Sequence, residues 1–211
     1  MAEYDLYCFA QSGNAYKPAL MLELAGANWA PRFVDFFNGA HRRPEFLAIN
    51  EMGEIPVLVH NDYTLTQSGV ILDYLSQKLG VFGGELPDER REILRWILWD
   101  NHKLTSYTAT LRFLRQFAGT GETPVTEFYE GRAINAYKVL DRHLESRDWV
   151  AVDRPSIADL SLCGYLFWPD EIGIDFEPFV NINAWLDRIR ALNGWRHPYD
   201  LMPGHPLPPK S

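Results

Sequence analysis

The chain is short of several things, and each shortage removes a class of function. Cysteine occurs only at Cys8 and Cys163, far apart and each inside an apolar segment. That pattern points to reduced core thiols and excludes a disulfide framework. The six histidines show no His-x-x-x-His spacing, so no metal site is expected. No apolar run approaches the roughly 18–20 residues of a membrane-spanning helix. Basic residues are outnumbered, 20 Lys and Arg against 28 Asp and Glu for a formal charge of −8. They form no stripe, which argues against binding a nucleic-acid backbone. The opening "MAEYDLYCF" has Glu3 where a secretory signal would carry a basic residue, so a cytoplasmic location is the expectation.

What remains is a globular composition of 211 residues, 46% hydrophobic, enough for one large domain or two small ones. Tyr4–Phe9 reads as a short buried strand. Tyr16–Gly26 is rich in helix formers and stops at a glycine. Pro18 fits that helix only in its first turn, which predicts a start near Asn14. Arg32–Phe37 reads as a second strand and Arg43–Asn50 as a short helix. Val57–Val59 and Tyr63–Thr66 flank the turn residues His60, Asn61 and Asp62 as a hairpin. Ile71, Leu72, Leu75 and Leu79 then recur at helical spacing up to Gly80. The order β-α-β-α-β-β-α predicts an α/β domain over residues 1–80. Residues 81–87 read as a Gly/Pro-rich linker, and 88–211 as an all-helical domain. There, Asp88–Phe117 is one helix or two, Thr126–Ser146 and Asn181–Leu192 are further helices, and "PSIAD" opens another with a capping-box pattern. The proline-rich tail from His197 reads as non-helical chain draped over the body.

Pro56 stands at the mouth of a strand, where two local readings are open. It is either the first residue of an edge strand or part of a cis Ile55–Pro56 bond. "EIPVL" at 54–58, the Gln67–Ser68 pair opening the next helix, and "SIAD" at 156–159 are weak singly and specific together. In this order they resemble the cytosolic glutathione transferase superfamily over nearly the whole chain. The resemblance implies a thioredoxin-like N-terminal domain, an all-α helical-bundle C-terminal domain, and a glutathione site between them. It also implies glutathione as co-substrate without a metal, a small hydrophobic electrophile or a disulfide as second partner, and a homodimer. At Pro56 it selects the cis reading, with the backbone of Ile55 pairing with the cysteinyl unit of glutathione.

The same resemblance assigns roles to particular residues. Gln67 and Ser68, at a helix N-terminus, suit the γ-glutamyl carboxylate and amine; the bland alternative is that Ser68 only caps the helix. In the loop Ala10–Lys17, Ser12 and Asn14 have the Ser-x-Asn spacing similar to Nu-class-like bacterial members and their fungal relatives. Either is placed near the sulfur, where a donor stabilises the thiolate; Asn14 as a simple helix cap is the alternative, and Tyr7 ranks behind both. His41, or Arg42 or Arg43, falls near the glycine end. Glu54 departs from the neutral or basic residue of many relatives, and its charge does not favour the carboxylates of glutathione. Arg112 or Arg115 stands for the helical-domain arginine that reaches the cofactor in Nu-class-like members. Asp159 is read as structural. The expected activity is disulfide reduction by glutathione or its conjugation to electrophiles, with a non-catalytic binding or scaffold protein of the same fold as the alternative.

Overall fold

The computed structural model describes residues 2–207. The chain forms two compact units: one runs to Gly83 and takes back Leu192–Leu207, and the other is Gly84–Ala191. In the first unit, strands β1 (Tyr4–Cys8), β2 (Trp29–Phe33), β3 (Val57–His60) and β4 (Tyr63–Thr66) form one sheet in the order β2-β1-β3-β4. β1 runs parallel to β2 and antiparallel to β3, and β3 and β4 form the expected hairpin. A parallel pair needs a crossover, supplied here by helix α1 (Gly13–Leu24). Helix α2 (Pro44–Leu47) is a single turn, and α3 (Ser68–Leu79) packs beside α1. Leu20 and Leu22 of α1 and Ile71, Leu72 and Leu75 of α3 are fully buried. This mixed four-stranded sheet with its helices is the thioredoxin-like architecture that the sequence implied.

Local readings differ in instructive ways. β2 begins at Trp29, not Arg32, and includes Pro31. Because β2 lies at the edge of the sheet, it tolerates a residue without an N–H. After Phe33 the chain turns, with Phe36 N–H bonded to Val34 O and Ala40 N–H to Asp35 O. Pro18 lies in the second turn of α1, past the first. It removes the N–H that would otherwise bond to the carbonyl of Asn14.

The second unit is helical. α4 (Pro87–Trp99) and α5 (Thr105–Arg112) are joined and extended by π-turns at Asp100–Leu104 and Phe113–Phe117. Pro87 to Phe117 is therefore one run, not two helices. α6 (Pro124–Leu144), α7 (Ile157–Leu162), α8 (Pro169–Ile172) and α9 (Val180–Arg190) follow. The chain then returns to the first unit, where α10 (Pro198–Leu201) packs on α1. The tail is thus partly helical, since Pro198 occupies a first-turn position that needs no N–H. Its structure is described to Leu207.

Candidate functional site

The loop after β1 carries the first group of residues. Ser12 is buried and caps α1, its Oγ accepting the N–H of Ala15 at 3.2 Å. The cap is Ser12 and not Asn14 because Ser12 has extended backbone (φ −92°, ψ 108°), while Asn14 already lies inside the helix. A hydroxyl that accepts one bond keeps its own proton to donate. Asn14 Oδ1 is buried and has no hydrogen-bond partner among the described residues. A half-turn of the amide puts the NH2 group in that position, so the side chain can offer a donor or an acceptor there. Buried polar groups are nearly always paired, which makes this atom a marker for ligand contact. Of the neighbouring groups, Cys8 is set apart by its environment. Burial pushes the Cys8 thiol up to about 12, so it is no nucleophile near neutral pH. Tyr7 packs edge-on against Phe46, beside Val34 and Val57.

A second group lies where β3 begins and β4 runs into α3. Gln67 precedes α3 with φ 65° and ψ 115°, and its side chain makes no capping bond. A side-chain residue in such a region costs about 1–3 kcal/mol, and such strain gathers at functional sites. The Gln67 amide instead donates to Glu54 Oε2 at 2.9 Å. Ser68 is the first helical residue, so the reading of Ser68 as a plain cap does not hold. The first-turn N–H groups of α3 have no side-chain acceptor among the described residues, and the buried Ser68 hydroxyl sits among them. That helix end favours a carboxylate, and the Glu54 carboxylate favours an ammonium group. The Ile55–Pro56 peptide bond between them is cis. The β3 ladder starts at Val57, opposite Tyr7 and Thr66, so the backbone groups of Ile55 lie outside the sheet.

The third group, His41 with Arg42 and Arg43, is buried at its histidine and exposed at its arginines. His41 is buried, with its ring stacked on Phe36 at 4.1 Å and its Nε2 accepting from Arg42 Nε at 3.2 Å. Burial, then the adjacent Arg42, holds its pKa below the usual histidine range. Positive charge for a carboxylate in this region comes from Arg42 and Arg43, both exposed. In the helical unit, Arg112 is 2% exposed, lies 3.7 Å over the Trp168 ring, and bonds Glu171 through Nε and Nη2 at 2.9 and 2.6 Å. Arg115 bonds Glu122, Glu130 and the carbonyl of Ile172. Both guanidinium groups are engaged inside that unit, which removes the argument for either as a cofactor contact.

Residues 2–77 match the family model of the glutathione S-transferase N-terminal domain, and residues 107–193 that of the C-terminal domain. The chain is 30% identical over 194 residues to the disulfide-bond oxidoreductase YfcG of Escherichia coli (strain K12), covering 89% of this chain and 90% of that protein. The chain belongs to the glutathione S-transferase family. A glutathione S-transferase from Pseudomonas fluorescens superposes with a TM-score of 0.89 at 30% identity, over 94% of this chain and 100% of that one. A glutathione transferase from Pseudomonas putida, with one glutathione disulfide bound per subunit, matches with a TM-score of 0.82 at 25% identity, over 92% and 89%.

Against this family background, two further residues shape the site without having been singled out in the sequence. Asn50 is buried, gives its amide to the carbonyl of Glu54 at 2.8 Å, and accepts the N–H of Met52 at 3.1 Å. It thereby fixes the turn that presents Glu54 and Ile55. Its signal was slight: an Asn two residues ahead of Met-Gly, where a side chain can bond its own turn. Gln11 is buried beside Ser12 and bonds residue His205, 194 positions away. No local pattern announces such a contact.

Proposed function

We propose that the first unit binds glutathione and activates it as the thiolate. In this reading Ser68 and the N-terminus of α3 take the γ-glutamyl carboxylate, and Glu54 with Gln67 takes its ammonium. The backbone of Ile55, before Pro56, pairs with the cysteinyl unit, and His41 with Arg42 or Arg43 meets the glycyl end. Ser12 and Asn14 face the sulfur. The observation that carries the reading is the buried, unpartnered amide oxygen of Asn14, two residues from a Ser12 hydroxyl whose proton is available to donate. Donation to sulfur stabilises the thiolate over the thiol and lowers its pKa toward neutrality.

The thiolate then attacks one sulfur of a disulfide. An S–S bond forms to glutathione, the old S–S bond breaks, and the departing sulfur leaves as a thiolate that takes up a proton. A second glutathione thiolate attacks the mixed disulfide at the glutathione sulfur, giving glutathione disulfide and the second reduced thiol. The relative named as a disulfide-bond oxidoreductase, and the neighbour holding glutathione disulfide, support this over conjugation. With a small hydrophobic electrophile the same thiolate would form a C–S bond and expel the leaving group with its electron pair. The proposed assignment is a Nu-class-like member acting as a homodimer in the cytoplasm.

The test is calorimetric titration with reduced and oxidised glutathione, followed by the pKa of the bound thiol from its thiolate absorbance. Ser12→Ala or Asn14→Ala should raise that pKa; an unchanged value in both would sink the assignment. The alternative is a binding protein of this fold, favoured by the Gln67 amide being held by Glu54. Absence of binding by either form at several millimolar would select it.

A further inference from the structure

The loop that carries Ser12 and Asn14 is fastened to the C-terminal end of the chain. The N–H of Ala10 donates to the carbonyl of Pro203 at 2.8 Å. Next to it, the Gln11 side chain imitates a strand. Its Nε2 donates to the carbonyl of His205 at 2.7 Å, and its Oε1 accepts the N–H of His205 at 3.1 Å. Gln11 is 4% exposed, so an amide stripped of these partners would be left buried and unsatisfied. Gly204 lies between the two bonded residues. A Cβ there would stand 2.7 Å from Ala10 Cβ and 2.9 Å from Gln11 Oε1, so only glycine permits the approach. The His205 ring is seated against Phe9, Phe33 and Phe37 at 5.8, 5.2 and 4.5 Å, with Nδ1 3.5 Å from the Asp35 carboxylate. Upstream, the Tyr16 hydroxyl of α1 donates to the carbonyl of Arg196 at 2.8 Å.

We infer that Gln11 is a positioning residue for thiol activation, and that it works by holding the segment Pro203–His205 against the Ala10–Asn14 loop. The inference rests on the roles proposed for Ser12 and Asn14. Between β1 and α1 the loop has one backbone bond of its own, Ser12 N–H to Phe9 O at 3.0 Å. The outward amide of Ala10 and both ends of the Gln11 amide are met by the strap. Ser12 is the next residue, so a shift of Gln11 is passed directly to its hydroxyl. A displacement of about 1 Å at a reacting group is enough to cost on the order of 100-fold in rate. Neither Gln11 nor the strap needs to touch glutathione for this effect.

The test compares Gln11→Ala, Gln11→Glu and Gly204→Ala in the full chain. Gln11→Glu keeps the acceptor for His205 N–H but sets a buried carboxylate oxygen against the His205 carbonyl, so it should loosen the strap at least as much as Gln11→Ala. Gly204→Ala leaves the Gln11 side chain intact and displaces the strap by contact alone. Each folded variant is read by the pKa of bound glutathione, by the split between kcat and KM, and by hydrogen exchange over residues 9–15. The expected result is faster exchange, a raised thiol pKa, and a kcat lowered about tenfold or more with a smaller change in KM. A wild-type thiol pKa and kcat in Gln11→Ala and Gly204→Ala would overturn the inference, whatever the exchange shows. Should wild type bind neither form of glutathione, the proposed function is what fails, and exchange alone then decides the strap. Faster exchange in the variants would uphold the fastening, and unchanged exchange would overturn it. If Gln11→Ala does not fold, Gly204→Ala and Gln11→Glu decide by the same readings.

Discussion

Replacing Asp159 with alanine should destabilise the protein severely without changing the chemistry of its first unit. Asp159 is fully buried in the helical unit and accepts four hydrogen bonds. Oδ1 takes the N–H of Val150 at 2.8 Å and the Trp185 indole N–H at 2.9 Å. Oδ2 takes the N–H and the hydroxyl of Ser156, both at 2.9 Å. The Ser156 hydroxyl can turn to another acceptor, but the three N–H groups cannot. A buried donor left without an acceptor costs about 1–3 kcal/mol, and water entering the space left by the carboxylate recovers part of that. Breaking such a network is expected to cost about 3–5 kcal/mol in all. For a chain of this length that lowers Tm by about 6–20 °C. Asp159→Asn is the informative companion. Its NH2 group must face either Val150 and Trp185 or the Ser156 N–H, so it should lose a smaller but clear part of the same stability. Thermal melts by circular dichroism give the stability, and glutathione titration well below the transition gives binding. A Tm within about 2 °C of wild type for Asp159→Ala would refute the argument, since it would mean less than about 1 kcal/mol was at stake.

Ser68→Ala should weaken glutathione binding in calorimetry more than it lowers Tm, because Ser68 caps nothing; the opposite ranking would return it to a structural role. Glu89 is held down to about 2, first by its hydrogen bond from Arg154 and then by the N–H of Glu85. Its folded pKa is depressed, so the pair stabilises the fold above the unfolded value near 4.5 and loses that contribution as pH falls toward 2. The Tm deficit of Arg154→Ala should accordingly be largest above pH 5 and shrink in acid; a deficit independent of pH would contradict the pairing. Cys8, fully buried and with its thiol raised to about 12, should resist alkylation at pH 8 until the protein is denatured. Rapid labelling of Cys8 in the native state would show that the strand opens.

The order of elements was readable because each carries a local signal: Gly80 ends α3 in the left-handed conformation, and Ser156 with Asp159 marks the start of α7. Errors arose where tertiary position overrides a local rule. Arg32–Phe37 reads as the second strand, but β2 runs Trp29–Phe33 and includes Pro31, whose missing N–H is tolerated at a sheet edge. Pro18 looked confined to a first turn, yet α1 accepts it in the second, where packing of the buried helix outweighs one lost bond. Arg112 and Arg115 looked available for a ligand until Glu171, Glu122 and Glu130 were seen beside them. Those partners are 7 to 59 positions away in the chain, and spacing alone cannot tell which arginine finds one.

Glu54 shows why charge read from sequence has no fixed meaning until its neighbours are placed. As an isolated negative residue beside a peptide with two carboxylates, it counts against binding. In the folded unit its backbone carbonyl is fixed by Asn50 and its carboxylate is held by the Gln67 amide, on a residue with positive φ. On the proposed reading the acidic group then faces the ammonium of the γ-glutamyl unit, while the carboxylate of that unit meets the N-terminus of α3. The two ends of one amino acid are thereby sorted by one acid and one helix end. Glu54→Gln should therefore weaken binding of glutathione, and an N-acetylated glutathione, which has no ammonium group, should bind the two forms alike. Tighter binding of glutathione by Glu54→Gln would restore the view of Glu54 as a repulsive charge, because an attractive contact cannot be improved by its removal.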